Sequence, residues 1–236
     1  EQMLYHSERI YGIDISKYQH VHKRRVYGID WRNLRITRLG HTADRNALGA
    51  VDYPVSFVYI KSTEGLTVFN PYYTQDVRAA RRYGFPVGAY HFFSTRPAMS
   101  QADYFLKKSR LRKGDLPPML DVELSDRRIA AMGGRDVLFR EMLVWLKEVG
   151  RRSSTTPIIY VSQDFVNRYM PFAPEELKAY PVWVARYGEY KPYVHLLYWQ
   201  LSPDGRVRGI QGDVDIDVFN GSEEQFKRYL RTQTVK

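Results

Sequence analysis

A single α/β domain, built as a modified (β/α)8 TIM-like barrel with irregular late β/α units, is the architecture this sequence predicts. Three observations carry it. About eight short apolar runs read as strands, and helical segments separate the early ones. The later runs have poorer connections, which makes the late units irregular. Acids recur near the ends of these runs, where barrel enzymes place their chemistry. A length of 236 residues suits one domain, tighter than the ~250 residues usual for this barrel. The alternative is an open doubly wound sheet. No G-x-G-x-x-G or P-loop pattern follows any strand, so nucleotide binding on such a sheet has no support.

The elements follow in order. Residues 1–10 are a polar lead-in, and the barrel domain spans 11–232. Residues 11–16 read as a strand carrying Asp14. Residues 17–30 are polar and read as a loop, with the basic run Lys23-Arg24-Arg25. A short helix is expected over 31–39 and a loop over 40–54. The next strand is 56–63, closed by Glu64-Gly65. Residues 71–83 are helical, with Pro71 at the start and Gly84 just past the end. Strand 85–93 leads to a helix over 100–112 with Ser100 as N-cap. Gly114-Asp115 then turns into strand 117–124. A Gly133-Gly134 loop precedes a helix over 135–151, whose apolar residues recur at near-helical spacing. Strand 156–162, a helical turn at 164–169, and strands 181–187, 195–201 and 214–219 complete the barrel. A closing helix over 222–231 starts at Ser222, with Gln225 in the capping-box position.

Composition narrows the function classes. With 44% apolar residues the chain builds a full core. No run approaches the ~18 apolar residues of a membrane span. The absence of cysteine excludes disulfides and thiolate chemistry. The six histidines show no H-x-x-x-H pattern, so neither a metal nor any other cofactor is expected. No G-x-S-x-G elbow supports a serine hydrolase. The formal charge of +10 favours anionic polymers. Most basic residues fall in scattered pairs that read as solvated helix ends and loops, and no nucleic-acid-binding motif occurs.

The acids carry the chemistry. In the run Met119-Leu120-Asp121-Val122-Glu123-Leu124, Asp121 and Glu123 share one face of a strand, roughly 6.7 Å apart along the backbone. Burying two like charges drives one pKa up and yields a protonated acid beside a carboxylate. Asp14 lies late on the first strand, and Asp213, Asp215 and Asp217 crowd the last. First and last strands are neighbours in a barrel, which brings Asp14 near one of these three. Aromatics crowd the same strand ends, among them Tyr90, Tyr160, Trp183 and Trp199. Carboxylates flanked by aromatic faces suit a sugar polymer, because sugar C–H faces stack on rings and glycosidic cleavage needs two carboxyl groups.

Seven segments, in order, carry a resemblance: Tyr11-Gly12-Ile13-Asp14-Ile15-Ser16; Ile29-Asp30-Trp31; Phe57 to Gly65 with Lys61 and Glu64; Gly88-Ala89-Tyr90-His91-Phe92-Phe93; Leu120-Asp121-Val122-Glu123; Tyr198-Trp199-Gln200; and Gly212 to Asp217. Together they resemble glycoside hydrolase family 25, the Chalaropsis-type lysozymes, over about residues 11–221. The resemblance implies hydrolysis of the β-1,4 bond between N-acetylmuramic acid and N-acetylglucosamine in peptidoglycan. It implies Glu123 as general acid, Asp121 as support for the 2-acetamido group or the cationic intermediate, and Asp14 and Asp215 as flanking acids. Asp213 and Asp217 compete with Asp215 for that place, and Asp217 stands where the family usually has Asn. Substrate-binding residues implied with these are Tyr90, His91, Lys61, Glu64, Tyr160, Trp183, Trp199 and Gln200. The partner is the peptidoglycan glycan strand, without nucleic acid, and a monomer is expected. Location is secreted or in the cell envelope, with any leader removed from this sequence.

Two insertions depart from the family pattern. Residues 20–28 are expected to rim the cleft with His22-Lys23-Arg24-Arg25, and residues 40–54 to lie on the opposite face of the barrel. Rival functions are a chitinase-like N-acetylglucosaminidase, disfavoured because Met119 stands where that motif needs an acid, and a non-catalytic wall-glycan binder.

Overall fold

The computed structural model describes residues 9–42, 47–185, 191 and 193–236. Its strands are β1 (Ile10–Ile15), β2 (Val21–His22), β3 (Arg25–Val26), β4 (Arg35–His41), β5 (Ala47–Tyr53), β6 (Val58–Glu64), β7 (Val68–Phe69), β8 (Val87–Phe92), β9 (Met119–Asp121), β10 (Ile158–Ser162), β11 (Pro181–Ala185), β12 (His195–Arg208) and β13 (Val214–Phe219). Its helices are α1 (Tyr73–Arg82), α2 (Ala98–Ser109), α3 (Asp126–Met132), α4 (Arg135–Ser153), α5 (Gln163–Arg168), α6 (Glu175–Lys178) and α7 (Glu223–Thr232).

Eight strands close a barrel in the order β1-β6-β8-β9-β10-β11-β12-β13 and back to β1. Seven run parallel, and β13 is antiparallel to both neighbours. The reversal follows from the short turn over 209–213, which joins β12 to β13 directly; a parallel pair needs a long crossover.

Alternation along the strands builds two cores. Inward-facing Phe57, Tyr59, Trp183, Tyr198 and Phe219 fill the barrel. Phe226, with the partly buried Tyr229 and Leu230, packs from α7 onto that cluster and closes the end away from the cleft. Outward-facing Val58, Ile60, Leu120, Ile159 and Val161 pack with helical residues such as Phe105 and Trp145. The inner layer is full: a Cβ on Gly12 would collide with the Phe57 ring, and one on Gly88 with Tyr59.

Several elements differ from the sequence expectation. Residues 31–39 are not a helix. Trp31–Asn33 form a 3-10 turn, and β4 follows. The three-residue spacing of buried Trp31 and Leu34, then Ile36 and Leu39, mimics a helical stripe; between Ile36 and Arg38 it comes from a shift of register in the β4–β5 pair. The expected loop over 40–54 contains β5, which pairs with β4 in an arm. This arm adds to the far end of β12, a 14-residue strand that outruns the barrel. Ile36 and Leu39 join the cluster that holds Tyr11, Ile13, Ile216 and Val218, and Tyr53 stacks on Tyr11 with centroids 5.1 Å apart. The arm thus covers the outer wall at β13 and β1, rather than the face opposite the cleft. The acid-bearing strand is shorter than 117–124, ending at Asp121. Helix α2 starts at Ala98, whose N–H donates to Glu141, so Ser100 is not its cap. The closing helix does carry the Ser222–Gln225 capping box. Of strand 181–187, Arg186 and Tyr187 lie outside the described residues, as does most of the lead-in.

Candidate active site

An open cleft of about 610 Å³ lies where the parallel strands end. Asp14, Asp121, Glu123 and Asp215 line it, together with Lys61, Tyr90, Tyr160 and Gln200. Each is an inward-facing residue at the cleft end of its strand or just beyond it. Asp14 and Asp215 are directly paired across β1 and β13. Asp121 is flanked in register by Phe92 on β8 and Tyr160 on β10. Glu123 sits two residues past the end of β9 and is exposed, whereas Asp121 is buried.

The reversal of β13 sorts the three competing acids by depth. Asp215, near the start of an antiparallel strand, is at the cleft. Asp217, two residues further, is fully buried in the barrel. Asp213 precedes the strand, is exposed, and pairs with Arg206 at 3.1 Å. Gln200 donates from Nε2 to Asp215 Oδ1 at 2.9 Å and so fixes that carboxyl.

Burial and mutual repulsion hold these acids towards their neutral forms. Burial, and next the Glu123 charge, raise the Asp121 pKa well above the carboxylate range. Burial and Asp217 do the same to Asp14. Burial and the Asp14 charge push Asp215 up to about 10. Asp217 is raised chiefly by burial, and neither of its oxygens makes a close hydrogen bond. The cluster therefore keeps several protons at neutral pH, shared among coupled sites. Tyr90 and Tyr160 stay neutral, because burial and then Asp14 raise both.

Four of the expected substrate-binding residues do not line the cleft. His91 faces outward from β8. It is fully buried, with Nδ1 2.6 Å from Thr63 Oγ1 and Nε2 2.9 Å from Gln101 Oε1, and it stacks on Trp145. Burial lowers its pKa to about 4, so it is a neutral bracket between sheet and helices. Trp183 faces inward but lies below the floor, stacked on Tyr198 at 4.6 Å. Trp199 falls on the outer side of β12, under the Arg9 guanidinium at 5.5 Å. Glu64 reaches the cleft only through Lys61, which it pairs at 2.7 Å.

The cleft also holds residues that the sequence reading did not assign: Ser16, Tyr18, Phe92, Ser162 and Asp164 among them. Phe92 and Ser162 lie two positions beyond Tyr90 and Tyr160, so alternation alone points to them. Tyr18 rides on a 3-10 turn over Lys17–Gln19, fixed by a Ser16–Gln19 capping box that is readable as S-x-x-Q. Of the insertion over 20–28, residues 21–26 form a hairpin of β2 and β3, and Lys23, Arg24 and Arg25 are not among the residues lining the cleft. Among the described residues no group of three or more His, Cys, Asp or Glu is arranged to hold a metal ion.

Comparison with known proteins matches this geometry. Residues 13–210 match the family model described as glycosyl hydrolases family 25. The span includes Asp14, Asp121 and Glu123 and stops before Asp215. The chain is 33% identical over 228 residues to the uncharacterized protein YegX of Escherichia coli O6:H1, covering 95% of this chain and 74% of that one. It is 32% identical over 184 residues to lysozyme M1 of Streptomyces globisporus, covering 71% of this chain and 61% of that one. Among solved structures, a bacterial lysozyme from Streptomyces coelicolor superposes with a TM-score of 0.68 at 25% identity, over 93% of this chain and 96% of that one. A muramidase from Acremonium alcalophilum gives 0.70 at 25% identity, over 94% and 98%. Sequence match, closed mixed barrel and acid-lined cleft agree: this chain belongs to glycosyl hydrolases family 25.

Proposed function

We propose that this protein is a peptidoglycan hydrolase that cleaves the β-1,4 bond between N-acetylmuramic acid and N-acetylglucosamine. One observation carries the reading: an exposed acid, Glu123, stands two residues from a buried one, Asp121, in the cleft of a family 25 chain. The relatives named lysozyme and N,O-diacetylmuramidase support the substrate class.

The mechanism follows from the unlike environments of the pair. Burial favours a proton on Asp121 in the free protein. Cleavage needs a proton on Glu123, at the mouth of the cleft, and Asp121 as the carboxylate beside it. Glu123 then gives that proton to the glycosidic oxygen as the C1–O bond breaks. The substrate's acetamide carbonyl oxygen bonds to C1 from the opposite face. The Asp121 carboxylate accepts a hydrogen bond from the acetamide N–H and balances the positive charge that develops. Water then adds to C1, the acetamide leaves, and the proton of the water returns to Glu123. Asp14 and Asp215 flank the reacting sugar, Lys61 and Gln200 bind hydroxyls, and Tyr90, Phe92, Tyr160 and Tyr18 offer ring faces. The protein acts as a monomer on walls outside the cytoplasm.

Glu123→Gln is expected to lower kcat by about 10²–10⁴-fold while wall binding persists; unchanged turnover would remove Glu123 from its role. A glycan lacking the N-acetyl group is expected to be cut at a small fraction of the normal rate. Near-normal turnover on it would exclude the acetamide route and favour an enzyme nucleophile.

A further inference from the structure

Beside the cleft stands a basic hairpin that the catalytic chemistry does not use. From Ser16 to Ile29 the chain has no Asp or Glu, but it carries Lys17, Lys23, Arg24 and Arg25. All four are exposed, and the last three make no ion pair with any described residue. Elsewhere on the surface Arg35, Arg152 and Arg168 each pair with an acid. The same segment exposes apolar side chains: Tyr18 is 64% exposed and Val26 66%.

The base of the hairpin is held rigidly. His20 is buried, with Nε2 2.6 Å from Asp76 Oδ2 on α1 and Nδ1 3.0 Å from the Tyr27 carbonyl, and it stacks on Tyr72 at 4.2 Å. On the other side His22 Nε2 lies 2.9 Å from the Gln211 carbonyl, and its ring covers Gly212 so closely that a Cβ there would meet it at 2.5 Å. Gln19 donates to the Asp213 carbonyl at 3.2 Å. The hairpin is thus wedged between α1 and the turn that leads into Asp215, next to Tyr18 on the cleft wall. Its tip places Lys23 and Arg24 at φ 43° and 70°, the two-residue turn that Asn-Gly ordinarily fills. Charge is kept at the tip in spite of the backbone preference.

We propose that this hairpin is an anion-binding arm that grips the carboxylates of the peptides branching from a glycan strand seated in the cleft. The proposal rests on the peptidoglycan reading above. Sugars of the strand are neutral and suit a floor of protonated acids. Its peptide branches carry carboxylates, and the cationic rim beside the cleft supplies the charge that pairs with them. The exposed Val26 lies against the apolar parts of the same branches.

The test measures binding of the Glu123→Gln protein to intact peptidoglycan sacculi, and to sacculi whose peptide carboxylates have been converted to neutral methylamides, across a salt series. It is repeated with K23Q/R24Q/R25Q added. A second variant, K23N/R24G, removes two charges while installing the favoured turn sequence, so its folding is secure. The expected result is about a tenfold loss of affinity for intact sacculi at low salt and a shallower salt dependence, with binding to the amidated sacculi unchanged. Unchanged binding to intact sacculi would overturn the proposal, as would an equal loss on both substrates. Release of reducing ends by the wild-type protein is followed on the same two substrates. If neither is cut, the hydrolase reading fails; if both are cut and the hairpin variants bind normally, only the arm fails.

Discussion

Asp217 shows how one side chain sets the behaviour of its neighbours. It is fully buried without a close hydrogen bond, beside Asp14 and Asp215. Its carboxyl pKa is raised in the folded state and lies near 3.9 in an unfolded chain. Below that unfolded value both states are protonated and the fold keeps its full stability. As pH rises past it, only the unfolded state ionises freely, so stability is lost until the folded pKa is passed. Asn has no proton to lose. Asp217→Asn, the side chain the family resemblance implies at this place, is therefore expected to raise Tm by an amount near zero at pH 3.5 that grows as pH rises towards the raised folded pKa. Melting curves across that range check it, and a difference independent of pH would contradict it. The acids themselves were legible in the sequence, because charged residues in apolar runs stand out. Their ranking was not: Asp213, Asp215 and Asp217 share a face, and only depth in the barrel separates them. His91 was legible in part, since adjacent residues of a strand cannot both face the cleft and Tyr90 takes that side.

At the scale of elements, strand β13 and the arm on β12 explain what the chain order hid. Apolar runs gave the strands, but nothing in them states direction, and with the strand expected to end at 201 the gap over 202–213 is long enough to read as a crossover. The reversal puts Asp215 at the beginning of its strand and still at the cleft. Strand β12 shifts register between Gln200 and Ser202 and again between Ser202 and Gly205, bending towards the outer face of β13. Ser202 Oγ donates to the Leu39 carbonyl there, and His41 Nδ1 meets Asp204 at 2.5 Å. Gly205 lies over Ile216, where a Cβ would overlap the isoleucine side chain and come within 3.0 Å of the Arg38 carbonyl. Gly205→Ala is expected to destabilise by about 1–3 kcal/mol through overpacking, while the cleft residues stay in place. Chemical denaturation measures this, and a variant as stable as the wild type would show that β12 does not cross β13 so closely. The arm was hidden because register shifts break the period-two pattern that marks a strand.

Across the whole molecule, the barrel is closed by side chains at one end and open at the other. Helix α7 seals the closed end with Phe226, which packs on Phe57 and Phe219 at centroid distances of 5.9 and 5.0 Å. The filled inner layer sets the floor of the cleft, so the acids sit on packed aromatics rather than over a void. Phe226→Ala is expected to cost about 3–5 kcal/mol, seen as a lower denaturation midpoint with KM little changed. A variant of unaltered stability would mean that α7 does not seal the barrel. The central claim is that Glu123 and Asp121 cut a specific bond of the wall polymer. Its most direct test is mass analysis of fragments released from purified peptidoglycan by wild type and Glu123→Gln. Fragments ending in reducing N-acetylmuramic acid, formed by the wild type and absent with the variant, are the predicted result. Reducing N-acetylglucosamine ends, or equal release by both proteins, would contradict it.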